Sequence, residues 1–199
     1  VGNQNSGKTT LFNTLTGTNQ KVGNWPGVTI ERKEGKISGT EIEIVDLPGV
    51  YSLSPYSTEE EISRQFAMEE KPDLIINIID ATSLERSLYL TTQLLELDVD
   101  VIIALNMADV LEKSGITVDI ECLSRRLNTT IISISAKKNL GVDNLISAIR
   151  NGEYKKNHHD YIYDEEIENV ISDISSQIQV GHKRFSAVKI IERDRDYRP

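Results

Sequence analysis

The stretch GNQNSGKTT, residues Gly2 to Thr10, decides the fold. It has the spacing G-x-x-x-x-G-K-[ST]. Consecutive backbone N–H groups in a glycine-rich turn, backed by a helix N-terminus, form a cradle for phosphate oxygens. Lys8 adds charge toward the β and γ phosphates, and the Thr9 hydroxyl is placed for Mg²⁺. The candidate cradle comprises Gly2, Asn3, Asn5, Ser6, Gly7, Lys8, Thr9 and Thr10. Such a loop joins a strand to a helix. The helix is predicted over residues 8–16, where Leu11, Phe12 and Leu15 share one side and Gly17 is a stop. The strand is expected to lie mostly ahead of Val1.

Outward from this loop the chain alternates strand and helix signals. Residues 18–27, rich in Gly, Asn and Pro, read as a loop. Residues 28–46 alternate apolar and polar on both sides of an SGT break, which predicts a hairpin with Val28 and Ile30 in one strand and Ile42 and Ile44 in the other. A helix follows over TEEEISRQFAMEE, with Thr58 as its cap and Glu61 three residues on. Near-continuous apolar runs at 73–80, 99–106 and 130–135 read as strands buried on both faces. Helices are predicted between and after them, at 84–97, around 118–127 and at 141–151. The pattern implies a mostly parallel, doubly wound α/β sheet with helices packed on it. After a polar linker, residues 164–178 and 183–194 read as two more helices. They are too short to hold a core alone, so they must pack on the first domain or continue beyond it.

The 199-residue chain carries a formal net charge of −9, which excludes a basic nucleic-acid-binding surface as its main feature. No apolar run is long enough to span a bilayer; the longest, LIINII at 74–79, has strand length. Cys122 is the only cysteine and reads as a buried structural thiol. His158, His159 and Asp160 read as solvated linker rather than a metal site. Glu59, Glu60 and Glu61 suit the positive end of a helix. Trp25, the only tryptophan, falls in a predicted loop and reads as a residue that moves with it.

Three further motifs fall at strand ends. In DLPG (46–49), Asp46 is placed to hold Mg²⁺ through water, and the Gly49 N–H to meet a γ-phosphate; alone, the motif is an ordinary turn. In NMAD (106–109), Asn106 and Met107 precede Asp109, whose carboxylate matches the N1–H and exocyclic amino group of guanine; a helix cap is the plain alternative. In SAK (135–137), Ser135, Ala136 and Lys137 end the next strand, and the Ala136 N–H is expected to donate to guanine O6. Together the last two select guanine.

In order, G-x-x-x-x-G-K-T, Thr29, D-x-x-G, N-x-x-D and S-A-K resemble the five motifs of small GTPases. GNWPGVTIERKEG (23–35) with VDLPGVYSLSPYSTEE (45–60) closely resembles the cytoplasmic G domain of the ferrous iron transport protein B family. The resemblance is dense over roughly residues 1–150 and weaker beyond, resting there mainly on SAVKIIERD. It implies a Ras-like P-loop GTPase over 1–151, a linker at 152–160 and the start of a helical regulatory subdomain over 161–199. It also implies GTP hydrolysis to GDP with Mg²⁺ held by Thr9, Thr29 and Asp46, with Asn5, Lys8, Thr29 and Gly49 acting in catalysis. The attached partner would be a membrane-spanning Fe²⁺ transporter domain of the same chain, which puts this part on the cytoplasmic face of the membrane. Homo-oligomer formation is left open.

Two departures stand out. Met107 occupies the position where small GTPases commonly carry a lysine stem over the base, and implies weak GDP retention. Val50 follows D-x-x-G, where many small GTPases carry a water-orienting glutamine. K⁺-activated GTPases similar to this chain carry Asn at position 5. The resemblance therefore implies a K⁺ site built from the Asn5 side chain and backbone carbonyls of Gly23 to Trp25, although Asn5 also simply suits a tight turn. Two rival readings remain: a soluble K⁺-activated GTPase of the RNA-modification or ribosome-assembly group, and a nucleotide sensor with negligible turnover.

Overall fold

The computed structural model describes residues 1–113, 115–157, 163–179 and 181–197. The elements run α1 (Lys8–Thr16), β1 (Gln20–Asn24), β2 (Glu31–Lys36), β3 (Glu43–Asp46), α2 (Thr58–Glu69), β4 (Leu74–Asp80), α3 (Leu84–Leu95), β5 (Asp100–Asn106), α4 (Ala108–Lys113), α5 (Ile120–Arg126), β6 (Thr130–Ile134), α6 (Val142–Asn151), α7 (Glu165–Gln177) and α8 (Lys183–Ile191). Strands β4, β5 and β6 pair in parallel, Ile78 opposite Ala104 and Ala104 opposite Ile132. Gly2 adds a parallel bridge to Ile78, so the chain enters the phosphate loop directly from the sheet.

β4 and β5 are buried on both faces, as their composition requires; β6, expected to be the same, is an edge strand in which only Ile134 is buried and Ser133 is exposed. Ile78, Ile102 and Ala104 pack with Leu11 and Leu15 of α1 and Val142 and Leu145 of α6. Ile75 and Val101 face the other way, onto Leu90 and Leu94 of α3 and Ala67 of α2. Alternate residues of one strand thus serve opposite helix layers. Between β3 and β4 lies a cavity of about 290 Å³ with walls that include Leu15, Ile37, Ile44, Ile76 and Ile78.

The antiparallel part is larger than expected. β1, β2 and β3 form a three-stranded sheet, with Gly23 opposite Arg32 and Lys33 opposite Asp46. Residues 20–24, read as loop, form a strand because β2 offers them a free edge. Val28 and Ile30 fall just before β2 rather than within it. The cap of α2 is also one residue earlier than expected. Ser57 accepts from the Glu60 N–H (3.2 Å), while the Glu60 carboxylate accepts from the Tyr56 N–H (3.0 Å). Cys122 is half-buried rather than buried, on a short α5 that buries none of its residues.

Helices α7 and α8 pack against the rest of the chain. Phe185 is buried among Val50, Leu53 and Ala67. Lys189, 1% exposed, donates to Ser54 Oγ at 2.9 Å, and Arg64 of α2 pairs with Asp196 at 2.9 Å. His182 Nδ1 accepts from the Asp98 N–H at 2.8 Å. The linker residues His158, His159 and Asp160 lie outside the described residues.

Candidate functional site

The phosphate loop and the two base-side motifs converge on Asn106, the last residue of β5. Its Nδ2 donates to the Ser6 carbonyl at 2.9 Å, and its Oδ1 accepts from the Ala136 N–H at 3.0 Å. Asn106 is buried, so both bonds are made away from water, where leaving either group unmet is costly. The Ala136 N–H, expected to face a purine oxygen, is here bonded to Asn106. Asn106 is the tie between loops.

The loop itself is shaped for close approach. Gly7 has φ 97°, and a Cβ there would come within 2.3 Å of Asn106 Nδ2. Ser6 Oγ donates to the Asn3 carbonyl at 2.8 Å and tightens the turn. Asn5, at φ 63°, takes a left-handed conformation that Asn tolerates better than most residues, and its side chain is exposed. α1 starts at Lys8 with no acidic residue in its first turn and no side-chain cap, so its N-terminal N–H groups and the positive end of its dipole are left for an anion. Thr9 and Thr10 are exposed there.

Lys8 is half-buried. Burial lowers its pKa from the usual lysine value, and Asp46 at the end of β3 opposes that shift. Gly49 lies against the same lysine: a Cβ on it would sit 3.0 Å from both Lys8 Nζ and Gln4 Cγ. The Val50 N–H donates to the Gly2 carbonyl at 3.2 Å, while its side chain is buried in the core with Leu53 and Leu94. The DLPG turn is therefore seated on the phosphate loop, and the residue after it turns its side chain away from the cleft.

On the base side, half-buried Met107 adopts φ 65° and turns the chain from β5 into α4, whose first turn holds Asp109. The Asp109 carboxylate is ion-paired with Lys138, and this hydrogen-bonded lysine holds its pKa below the usual carboxylate value. Ser135 is buried and closes its turn through paired backbone bonds with Leu140. Lys137, the expected third member of that motif, is exposed. Lys138 went unread in the sequence; the second lysine of the KK pair after Ser135–Ala136 was the available signal.

Thr29, Gly23 and Trp25 are on a separate unit, the β1–β2 hairpin. Gly23 is in its ladder, the Trp25 N–H donates to the Ile30 carbonyl at 2.9 Å, and the Trp25 carbonyl accepts from the Val28 N–H at 3.3 Å. Thr29 is exposed in the connecting turn. Trp25, expected to be a loop residue, is 7% exposed: Phe66 of α2 meets its ring edge-on at 5.6 Å and the Arg32 guanidinium lies 4.6 Å from its centroid.

Comparison with known proteins agrees with this geometry. Residues 1–149 match the family model described as ferrous iron transport protein B. The Fe(2+) transporter FeoB of Escherichia coli K12 is 42% identical over 98% of this chain, which spans only 26% of that relative's length. A GDP-bound structure of an S. thermophilus NFeoB mutant superposes with a TM-score of 0.89 at 44% identity, covering 98% of this chain and 79% of that one. The apo cytosolic domain of the T. maritima FeoB iron transporter gives 0.88 at 36% identity, covering 99% and 81%. Fold and sequence agree over nearly the whole chain: it has the Ras-like G-domain fold and belongs to the ferrous iron transport protein B family.

Proposed function

We propose that this chain binds guanine nucleotides and hydrolyses GTP, and that its nucleotide state regulates or energises Fe²⁺ uptake by an attached membrane-spanning domain. The observation that carries the reading is the Asn106 tie, which fixes a phosphate cradle and a base-side carboxylate on one framework. Support comes also from the relatives: the E. coli protein is an Fe²⁺ transporter, and the S. thermophilus structure holds GDP. Among the described residues no helix is long and apolar enough to cross a membrane, so the transport path would belong to another part of the protein, with this part on its cytoplasmic face.

In this reading the backbone of Gly2 to Thr10 and Lys8 bind the phosphates. Asp109 accepts from the guanine N1–H and exocyclic amino group, Met107 packs beside the base, and Ser135 to Lys137 close its far edge. The Gly49 N–H meets the γ-phosphate. Mg²⁺, held by Thr9, Thr29 and Asp46, would draw charge from the phosphate oxygens. K⁺, held by Asn5 and the Gly23 and Trp25 carbonyls, would supply the positive charge that an arginine finger gives elsewhere. For Thr29 and those carbonyls to take part, the β1–β2 hairpin has to bring them to the phosphate loop. Val50 cannot orient water, so unaided turnover is slow, on the order of 10⁻⁴ s⁻¹. Residues 1–151 form the G domain, 152–160 connect, and 161–199 begin the helical module, which touches the turn after DLPG through Lys189 and Ser54.

Calorimetry and turnover test this. GTP and GDP should bind, and ATP on the order of 10⁴-fold more weakly, because adenine lacks the donor pair that Asp109 accepts; equal affinities would overturn the guanine reading. Turnover should be several-fold faster in KCl than in NaCl at equal ionic strength. Asn5→Ala should lose that difference and keep nucleotide binding. Equal turnover of the unaltered chain in both salts would remove K⁺ alone from the scheme.

A further inference from the structure

The carboxylate assigned above to the base already has a partner. Lys138 ion-pairs with Asp109 Oδ2. It is the last residue of the 3₁₀ turn Ala136–Lys138, and that turn is fixed at its root. The Ala136 N–H is bonded to Asn106, the Lys138 N–H donates to the Ser135 carbonyl at 3.1 Å, and Ser135 is bridged to Leu140. Asp109 is likewise placed by the first turn of α4, directly after β5. Two turns, each directly following a strand of the parallel sheet, therefore bring the ammonium group to the carboxylate. Lys113, the other cation acting on Asp109, does so only through space.

We propose that Lys138 competes with the base for Asp109 and thereby sets the affinity for guanine. This rests on the guanine reading given above. A base that offers two N–H donors replaces the ion pair with two charge-assisted hydrogen bonds. A base without them meets an Asp109 that is already paired, and gains nothing by displacing Lys138. The pair therefore lowers affinity for guanine a little and keeps the carboxylate matched when no such base is bound. Both partners are solvent-accessible, with side chains 47% and 23% exposed, so the effect is modest. It acts through the fraction of molecules whose carboxylate is free, and so appears in the association rate.

The test is stopped-flow binding of a fluorescent GDP to the unaltered chain and to Lys138→Gln, an exposed substitution far from the core. The variant should bind about two- to fivefold more tightly, with a faster association rate and an unchanged dissociation rate. Its advantage should shrink when ionic strength is raised, because salt screens the pair it removes. Unchanged or weaker affinity in Lys138→Gln would overturn the competition, as would tightening confined to dissociation. Failure of the unaltered chain to bind GDP would instead overturn the guanine reading beneath it.

Discussion

On the base side of the cleft, every residue of β5 from Val101 to Asn106 is buried; on the switch side, β1 has no buried residue at all. Both are strands with complete ladders, so hydrogen bonding does not separate them. Packing does. β5 is paired on both sides and covered by two helix layers, and Asn106 inherits that rigidity. β1 is an edge strand, anchored to the body through Trp25 at its end. Even that anchor is imperfect, since Trp25 Nε1 and Arg32 Nε are buried without hydrogen-bond partners. The candidate recognition site is built into the part that cannot move cheaply, and the candidate switch into the part that can, since little apolar burial is lost when it rearranges.

The largest expected effect comes from breaking the rigid side. Asn106→Ala leaves the Ser6 carbonyl and the Ala136 N–H buried and unmet, at a combined cost of about 2–4 kcal/mol. Thermal unfolding should shift down by about 5–10 °C, and guanine nucleotide affinity should fall with it. A variant that melts unchanged would mean that the tie is not what holds the two loops.

A middle effect is expected at the switch anchor. Phe66→Ala removes the edge-on contact to Trp25, worth about 1 kcal/mol, which is roughly a fivefold change in opening. Trp25 emission should move to the red, and proteolysis between residues 20 and 30 should quicken by a similar factor. Unchanged emission would show that Trp25 is held by Arg32 alone.

The smallest is expected on β1 itself. Val22 is 61% exposed, and Val22→Thr should alter stability by less than about 0.5 kcal/mol in denaturant unfolding. A larger loss would show that β1 belongs to the core, and would erase the contrast between the two sides.

The sequence by itself was enough for the phosphate loop, the buried parallel strands β4 and β5 and the order of the five motifs. These are local: a glycine-rich turn before a helix, or an apolar run of strand length, has the same meaning wherever it folds. Family resemblance extended that reading, and the matched relatives give no support to the RNA-associated alternative. What only the tertiary structure decided was partnership. Residues 20–24 have loop composition and become a strand because a neighbouring edge is free. Trp25 lies beside Pro and Gly and is buried because α2 brings Phe66 to it. The Ala136 N–H and the Asp109 carboxylate look available in the sequence. The fold gives the first to Asn106 and the second to Lys138, thirty and twenty-nine residues distant. Which polar groups meet depends on how strands and turns register in space, and residue order alone does not carry that information.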